Sequence, residues 1–148
     1  MNTGKKGLEL IKKYEGFYSK PYLDPIGIPT IGYGATYYPN KVKVTMKDKP
    51  LTEKEASELL IQMLKVYENQ VALLVRKPIN QNQFDALVSF TYNLGATNLS
   101  KSTLLKKVNK NPNDKSIATE FMQWVNAGGK RFNGLVKRRT DEAALYFS

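Results

Sequence analysis

Apolar positions recur along this chain with more than one period, and the changes of period divide it into stretches. Leu8 and Ile11 stand at i and i+3, which predicts a helix over about Thr3–Tyr14. Thr3 is placed to cap it, and Gly16 follows its end. Glu15 comes at i+7 from Leu8. At about 100° per residue it falls within about 20° of Leu8, on the apolar face. From about residue 17 to 50 the pattern breaks up. Phe17, Tyr18, Tyr22, Ile26, Ile28, Ile31, Tyr33, Tyr37 and Tyr38 are interleaved with Pro21, Pro25, Gly27, Pro29, Gly32, Gly34 and Pro39. Short β-favouring pieces between frequent breakers predict a small, twisted antiparallel sheet. A sheet of that size needs helix packing to be stable.

A long helix opens at Thr52-Glu53-Lys54-Glu55, a capping-box pattern. Its stripe is Ala56, Leu59, Leu60, Met63, Val66, Tyr67, Val71 and Leu74, and Pro78 ends it. It reads either as a strut joining two lobes or as one helix of a bundle. From Asn80 onward the pattern is all helical. Phe84, Leu87, Val88 and Thr91 form one face, ended by Gly95. Ser102 stands where it would cap Thr103–Asn109. A third helix carries Ile117, Phe121, Trp124 and Val125 up to Gly128-Gly129, and a last one carries Leu135, Arg139, Ala143 and Tyr146. The connections are short, as in a helical bundle. The aromatic stripe Phe84, Phe90, Phe121 and Trp124 reads as core.

Composition then removes chemistries. With 0 His and 0 Cys, triads built on histidine, His- or Cys-ligated metals, thiolate nucleophiles and disulfides are all excluded. What remains is carboxylate, lysine, tyrosine or hydroxyl chemistry, and no cofactor or metal is expected. Lys+Arg 23 against Asp+Glu 13 gives +10, a charge drawn to polyanions such as nucleic acid, anionic membrane or bacterial envelope. The sign alone does not choose among them, and solubility is an equally good reason for it. No apolar run has the length of a membrane span. Glu9, Lys12 and Lys13 interrupt the start of the chain, so neither a signal peptide nor a transmembrane segment is expected.

Glu15 is the most informative polar residue. An apolar setting and the negative end of a helix dipole both favour the protonated carboxyl that a general acid requires. A structural Glu paired with Arg138 or Arg139 explains the position equally well. Asp24, in Tyr22-Leu23-Asp24-Pro25, could be no more than a turn aspartate. Thr30 could be no more than a strand threonine. Together, a helix end, a loop and a strand start can bring all three to one place. Two carboxylates in unlike surroundings are the parts that hydrolyse a glycosidic bond. One protonates the departing oxygen, the other activates water, and a hydroxyl can hold that water in line.

The residues around them carry more. Tyr14-Glu15-Gly16-Phe17, Pro21-Tyr22-Leu23-Asp24 and Pro29-Thr30-Ile31-Gly32-Tyr33-Gly34 resemble the catalytic region of the phage-type lysozymes, or endolysins, of glycoside hydrolase family 24. The resemblance continues through Asn82–Phe90, Tyr92-Asn93-Leu94-Gly95, Ser102–Leu105, Trp124–Lys130 and Gly134–Arg139, nearly the whole chain in order. It implies an α+β, mainly α, lysozyme-like fold in two lobes over 1–148. A small antiparallel sheet would lie in a lobe of about 14–60, and a linking helix would span about 52–75. A helical lobe of about 76–148 would pack with the helix of 3–14. It also implies a monomeric muramidase that cuts the β-1,4 bond between N-acetylmuramic acid and N-acetylglucosamine in peptidoglycan. Carried over, Glu15 is the general acid, Asp24 the carboxylate that positions or activates water, and Thr30 the water-orienting hydroxyl. Tyr33, Tyr92, Asn93 and Thr103 are candidate substrate contacts, with a core role open for Tyr92 and Thr103. The basic segment from Lys130-Arg131 to Lys137-Arg138-Arg139 could hold the anionic envelope or be a solvated helix face.

The sequence departs from the family in two ways. Ala35 stands where some relatives have a histidine, so any support that histidine gives the aspartate is absent. No signal-anchor helix is read at the start. The expected course is therefore residence in the host cytoplasm until a separate membrane-permeabilising protein gives access to the wall. A lytic transglycosylase is the neighbouring alternative. A nucleic-acid-binding module rests on charge alone, since no recognition motif of known type accompanies it.

Overall fold

The computed structural model describes residues 1–148. In chain order it contains α1 (Lys5–Glu15), β1 (Tyr18–Leu23), β2 (Pro29–Gly32), α2 (Glu53–Leu74), α3 (Gln81–Leu94) and α4 (Ala96–Lys101). These are followed by α5 (Thr103–Lys110), α6 (Ile117–Phe121), β3 (Asn126–Ala127), β4 (Lys130–Arg131) and α7 (Asn133–Tyr146). The architecture is mainly helical with a small antiparallel sheet, as the pattern predicts. No helix is long and apolar enough to cross a membrane. The contacts divide the chain into a unit of Ile11–Lys65 and a unit of Met1–Leu10 with Val66–Ser148.

In the unit of Ile11–Lys65, β1 and β2 pair antiparallel with Tyr18 opposite Gly32, Tyr22 opposite Thr30 and Leu23 opposite Pro29. The register shifts between Tyr18 and Tyr22. Pro21 lies in that interval, and a residue without an N–H belongs at such an irregularity. Beyond β2 the chain turns through Gly32 and Gly34, with φ of 65° and 85°, a region nearly closed to other residues. The turn is shut by reciprocal backbone bonds between Ile31 and Ala35, each 2.9 Å. Gly32 is also where the strand meets α2: a Cβ there would stand 3.3 Å from Cβ of Ala56. Ile31, Ala35, Val44 and Leu59 form the core of this unit, with Tyr38, Leu51 and Met63 packed on it. Ala35 is therefore core. The expected capping box opens α2. Glu55 N–H donates to Thr52 Oγ1 at 3.1 Å, and Thr52 N–H donates to Glu55 Oε1 at 2.9 Å.

In the other unit α3 is the central element, buried continuously from Gln83 to Thr91. It packs on α7 and α4, while α6 packs on α7 and α5. The capping box at its start is Asn80 with Gln83. The predicted aromatic core is present: Phe90 meets Phe121 and Trp124 edge-on, with centroids 5.8 and 5.7 Å apart. Ser102 caps α5 as predicted, accepting from Leu105 N–H at 3.0 Å.

Four local expectations are corrected. Thr3 does not cap α1, because its N–H and hydroxyl both donate to Glu68, at 2.7 and 2.6 Å. The cap is Asp85 of α3, which accepts from Gly4 and Gly7 N–H at 3.0 and 3.2 Å. A partner this distant in sequence leaves no local signature. The α2 stripe is buried at Ala56, Leu59, Leu60 and Val71 as predicted, but Leu64 belongs to it and Val66, 55% exposed, does not. The residues from 95 to 102 hold a separate short helix, α4, not a bare connection. Finally, the region from Asn80 is not all helix. The third helix stops at Phe121, and β3 and β4 form a hairpin around Gly128-Gly129. Both glycines have positive φ, 57° and 78°, as a tight two-residue hairpin turn demands.

Candidate active site

Glu15 is the last residue of α1. Gly16, at φ 74°, ends the helix in the left-handed region and returns its N–H to Lys12 O at 2.9 Å. This stop leaves Glu15 at the C-terminal end, as the sequence predicts. The residue is half-buried, not enclosed, so only part of the expected apolar setting is present.

Asp24 lies in the loop joining β1 to β2. Its Oδ1 accepts from Ile26 and Ile28 N–H at 3.0 and 2.8 Å. Its own backbone is closed by Asp24 N–H to Ile28 O at 3.0 Å and Gly27 N–H to Asp24 O at 2.9 Å. The turn-aspartate reading is therefore correct as far as it goes. Using one carboxylate oxygen to hold the loop also fixes the direction of the other.

Thr30 is 4% exposed in β2. Its hydroxyl donates to Ile28 O at 2.9 Å. With its single proton used, the hydroxyl presents acceptor lone pairs. Asp24 and Thr30 thus share an anchor at Ile28, one through its N–H and the other through its carbonyl.

Tyr22 adds a further group beside Thr30. Tyr22 is paired opposite Thr30, and its ring lies against Tyr18 with centroids 4.2 Å apart. Its phenol is pushed above its ordinary 10.0, by burial first, then by Tyr18, Glu15 and Asp24. It therefore stands within electrostatic reach of both carboxyls. Strand alternation was the available signal, since Tyr22 and Asp24 are two positions apart.

Of the candidate substrate contacts, Tyr33 is 8% exposed and donates its hydroxyl to Glu53 Oε2 at 2.7 Å. Burial, then this bond, pushes its phenol up. Such a ring has little free face for a sugar. Tyr92, Asn93 and Thr103 belong to the other unit. Tyr92 is half-buried and meets Tyr67 edge-on at 5.1 Å, and Thr103 is exposed. Asn93 Oδ1 accepts from Arg139.

The arginines correct a further expectation. Arg138 and Arg139 are 4% and 0% exposed, so they are not a solvated basic face. Both pair with buried Glu142. Ser89 adds a 2.6 Å hydrogen bond to the same carboxylate, and Arg139 donates to Trp124 O at 3.0 Å. Burial pushes the Arg139 guanidinium down from its ordinary value, and Glu142 opposes that shift.

Comparison with known proteins places the whole chain in a family. A family model described as Phage lysozyme matches residues 12–142. The endolysin of Salmonella phage P22 is 38% identical, with 100% of this chain and 99% of that protein covered. The endolysin of Bacillus phage B103 is 39% identical over 100% of this chain but 55% of its own length, so the chain spans about half of that relative. Among solved structures, the endolysin from Escherichia coli O157:H7 phage FAHEc1 superposes with a TM-score of 0.90 at 36% identity. It covers 100% of this chain and 94% of that one.

Proposed function

The chain belongs to the phage lysozyme family, and from that premise we propose that it is an endolysin muramidase acting on bacterial peptidoglycan. The bond cut is the β-1,4 link between N-acetylmuramic acid and N-acetylglucosamine. Glu15 gives its proton to the bridging oxygen as the C–O bond breaks. Asp24 takes a proton from water as the water oxygen bonds to the sugar carbon. Thr30 accepts a hydrogen bond from that water and holds it in line. The observation that carries this reading is the shared anchor of Asp24 and Thr30 at Ile28, with Tyr22 paired opposite Thr30. The anchored Asp24 loop and the acceptor lone pairs of Thr30 support it. In the same reading the protein is a monomer that stays in the host cytoplasm until a separate protein permeabilises the membrane, and then lyses the host wall.

The test is mass spectrometry of a digest of a defined muropeptide. Hydrolysis yields products that have gained one water, whereas a transglycosylase yields a 1,6-anhydro sugar. Glu15→Gln and Asp24→Asn should each lower the rate by about 10²-fold or more. A folded Glu15→Gln protein clearing walls at the wild-type rate would falsify the assignment. Anhydro products would move it to the transglycosylase class.

A further inference from the structure

Lys12, Glu53 and Ser57 have no part in the chemistry proposed above. In the structure they form one connected cluster with Tyr33. Lys12 Nζ donates to Ser57 Oγ at 2.7 Å, and Ser57 Oγ donates in turn to Glu53 Oε2 at 2.5 Å. Tyr33 donates its hydroxyl to the same Oε2 at 2.7 Å. Lys12 Nζ also lies 3.6 Å from that oxygen and 5.4 Å from the centre of the Tyr33 ring. One carboxylate oxygen therefore gathers a cation from α1, a phenol from the turn after β2 and a hydroxyl from α2. Glu53 and Ser57 stand at i and i+4 in the first turns of α2, on one face. The Thr52–Glu55 box fixes the start of that helix.

The two tethered turns carry the two ends of the proposed chemistry. Lys12 is one turn before Glu15 in α1, and Tyr33 is three residues after Thr30. We propose that Glu53 is a positioning residue for glycan hydrolysis: by binding Lys12 and Tyr33 through one oxygen, it sets the Glu15 carboxyl against the Thr30 hydroxyl. This rests on the muramidase reading. Glu53 touches neither substrate nor water in this account and acts through the two backbones it joins. Its own carboxyl is held below its ordinary value, by Ser57 first, then Tyr33 and Lys12. The ionised form is the one that makes these bonds.

Stability and activity should separate on removing it. The Glu53 side chain is 57% exposed, and ion pairs so open to water add little to folding. Misplacing catalytic groups by a fraction of an ångström to one ångström costs rate steeply, up to about a hundredfold. The experiment compares Glu53→Ala, Glu53→Gln, Tyr33→Phe and the Glu53→Ala/Tyr33→Phe double variant with wild type, using the full chain. The readouts are kcat and KM on a defined muropeptide oligomer, followed by product mass, and the melting temperature. Glu53→Ala should lower kcat about tenfold with KM and melting temperature nearly unchanged. Glu53→Gln keeps an acceptor for Tyr33 and Ser57 but no charge for Lys12, so it should recover part of the loss. The double variant should be no slower than Glu53→Ala, because both changes cut one tether. Wild-type kcat in Glu53→Ala overturns the proposal. So does an additive double variant, or a loss that follows the melting temperature and disappears on cooling. A wild-type protein that releases no hydrolysis product overturns the muramidase reading itself and the positioning role with it.

Discussion

Gly7 tests whether helix propensity or packing decides the stability of α1. In an isolated helix, replacing a mid-helix glycine with alanine stabilises by up to about 1 kcal/mol. Here the new Cβ would lie 2.7 Å from Asp85 Cβ, 2.8 Å from Asp85 Cγ and 2.8 Å from Thr3 Cγ2. None of these is the loose end of a long side chain. Asp85 is 1% exposed, and its carboxylate accepts from Gly4 N–H, Gly7 N–H and the Gln81 amide. It cannot retreat without giving up the cap of α1. Overpacking costs about 1–3 kcal/mol, and a displaced buried hydrogen bond about 1–3 kcal/mol more. The clash therefore wins, and Gly7→Ala should destabilise by roughly 1–5 kcal/mol net. For a chain of this size that is a fall in melting temperature of roughly 3–15 °C. Gly134 is the control: it lies in α7 with nothing within 4 Å of the added Cβ. Gly134→Ala should raise the melting temperature by about 2 °C. Both are read by calorimetry and reversible thermal unfolding. A Gly7→Ala protein as stable as wild type would refute the reasoning, because Asp85 would then be free to move and would not be a rigid cap.

Glu142→Ala removes the buried carboxylate that two buried guanidinium groups share, and should cost about 3–5 kcal/mol in urea unfolding. A loss under about 1 kcal/mol would mean that water reaches these arginines. The Thr45 hydroxyl first, then the Tyr38 hydroxyl, hold the Asp48 carboxyl below 3.8. The stabilisation this gives is full above pH 3.8 and is lost as pH falls through the lower folded value. Asp48→Asn should flatten that acid limb in melts recorded against pH. Burial first, then Asp48, pushes Tyr38 up to about 12, so its contribution is full below pH 10.0 and is lost as pH rises through about 12. Tyr146 is also pushed up to about 12, so Tyr38→Phe should remove one of the two phenols that titrate near 12 in an absorbance titration.

Legibility followed the range of the interactions. The Thr52–Glu55 box, the Asn80 cap and the Ser102 cap each involve residues three apart, and the sequence displays both partners. The cap of α1 is not legible because its acceptor, Asp85, is 78 residues from Gly7. The β3–β4 hairpin is hidden for another reason. Trp124 and Val125 continue an apolar period past Phe121, and Gly128-Gly129 reads as a helix stop although it is a two-residue turn. A Gly-Gly pair serves either purpose, and two residues per strand are too few to declare a period of their own. Arg138 and Arg139 read either as part of a basic face or as partners of a structural glutamate. The second kind of reading is nearer, with buried Glu142 at i+3 and i+4 as the glutamate, a pairing present in the spacing.

The candidate site divides along the same line. Glu15, Asp24 and Thr30 are each positioned by bonds within five residues: the Gly16 stop, the Ile26 and Ile28 amides, and the Ile28 carbonyl. Their placement is nearly local, so motif and spacing are enough to propose them. What relates the three to one another is not local. The pairing of Tyr22 with Thr30 and the Glu53 cluster both depend on segments meeting after folding. A motif can therefore survive in a chain whose tethers have drifted, with every named residue present and the geometry lost. If the Glu53 tether sets the rate, a relative that keeps all three motif residues but lacks an acceptor at the position of Glu53 should hydrolyse glycan slowly, although its motif is complete.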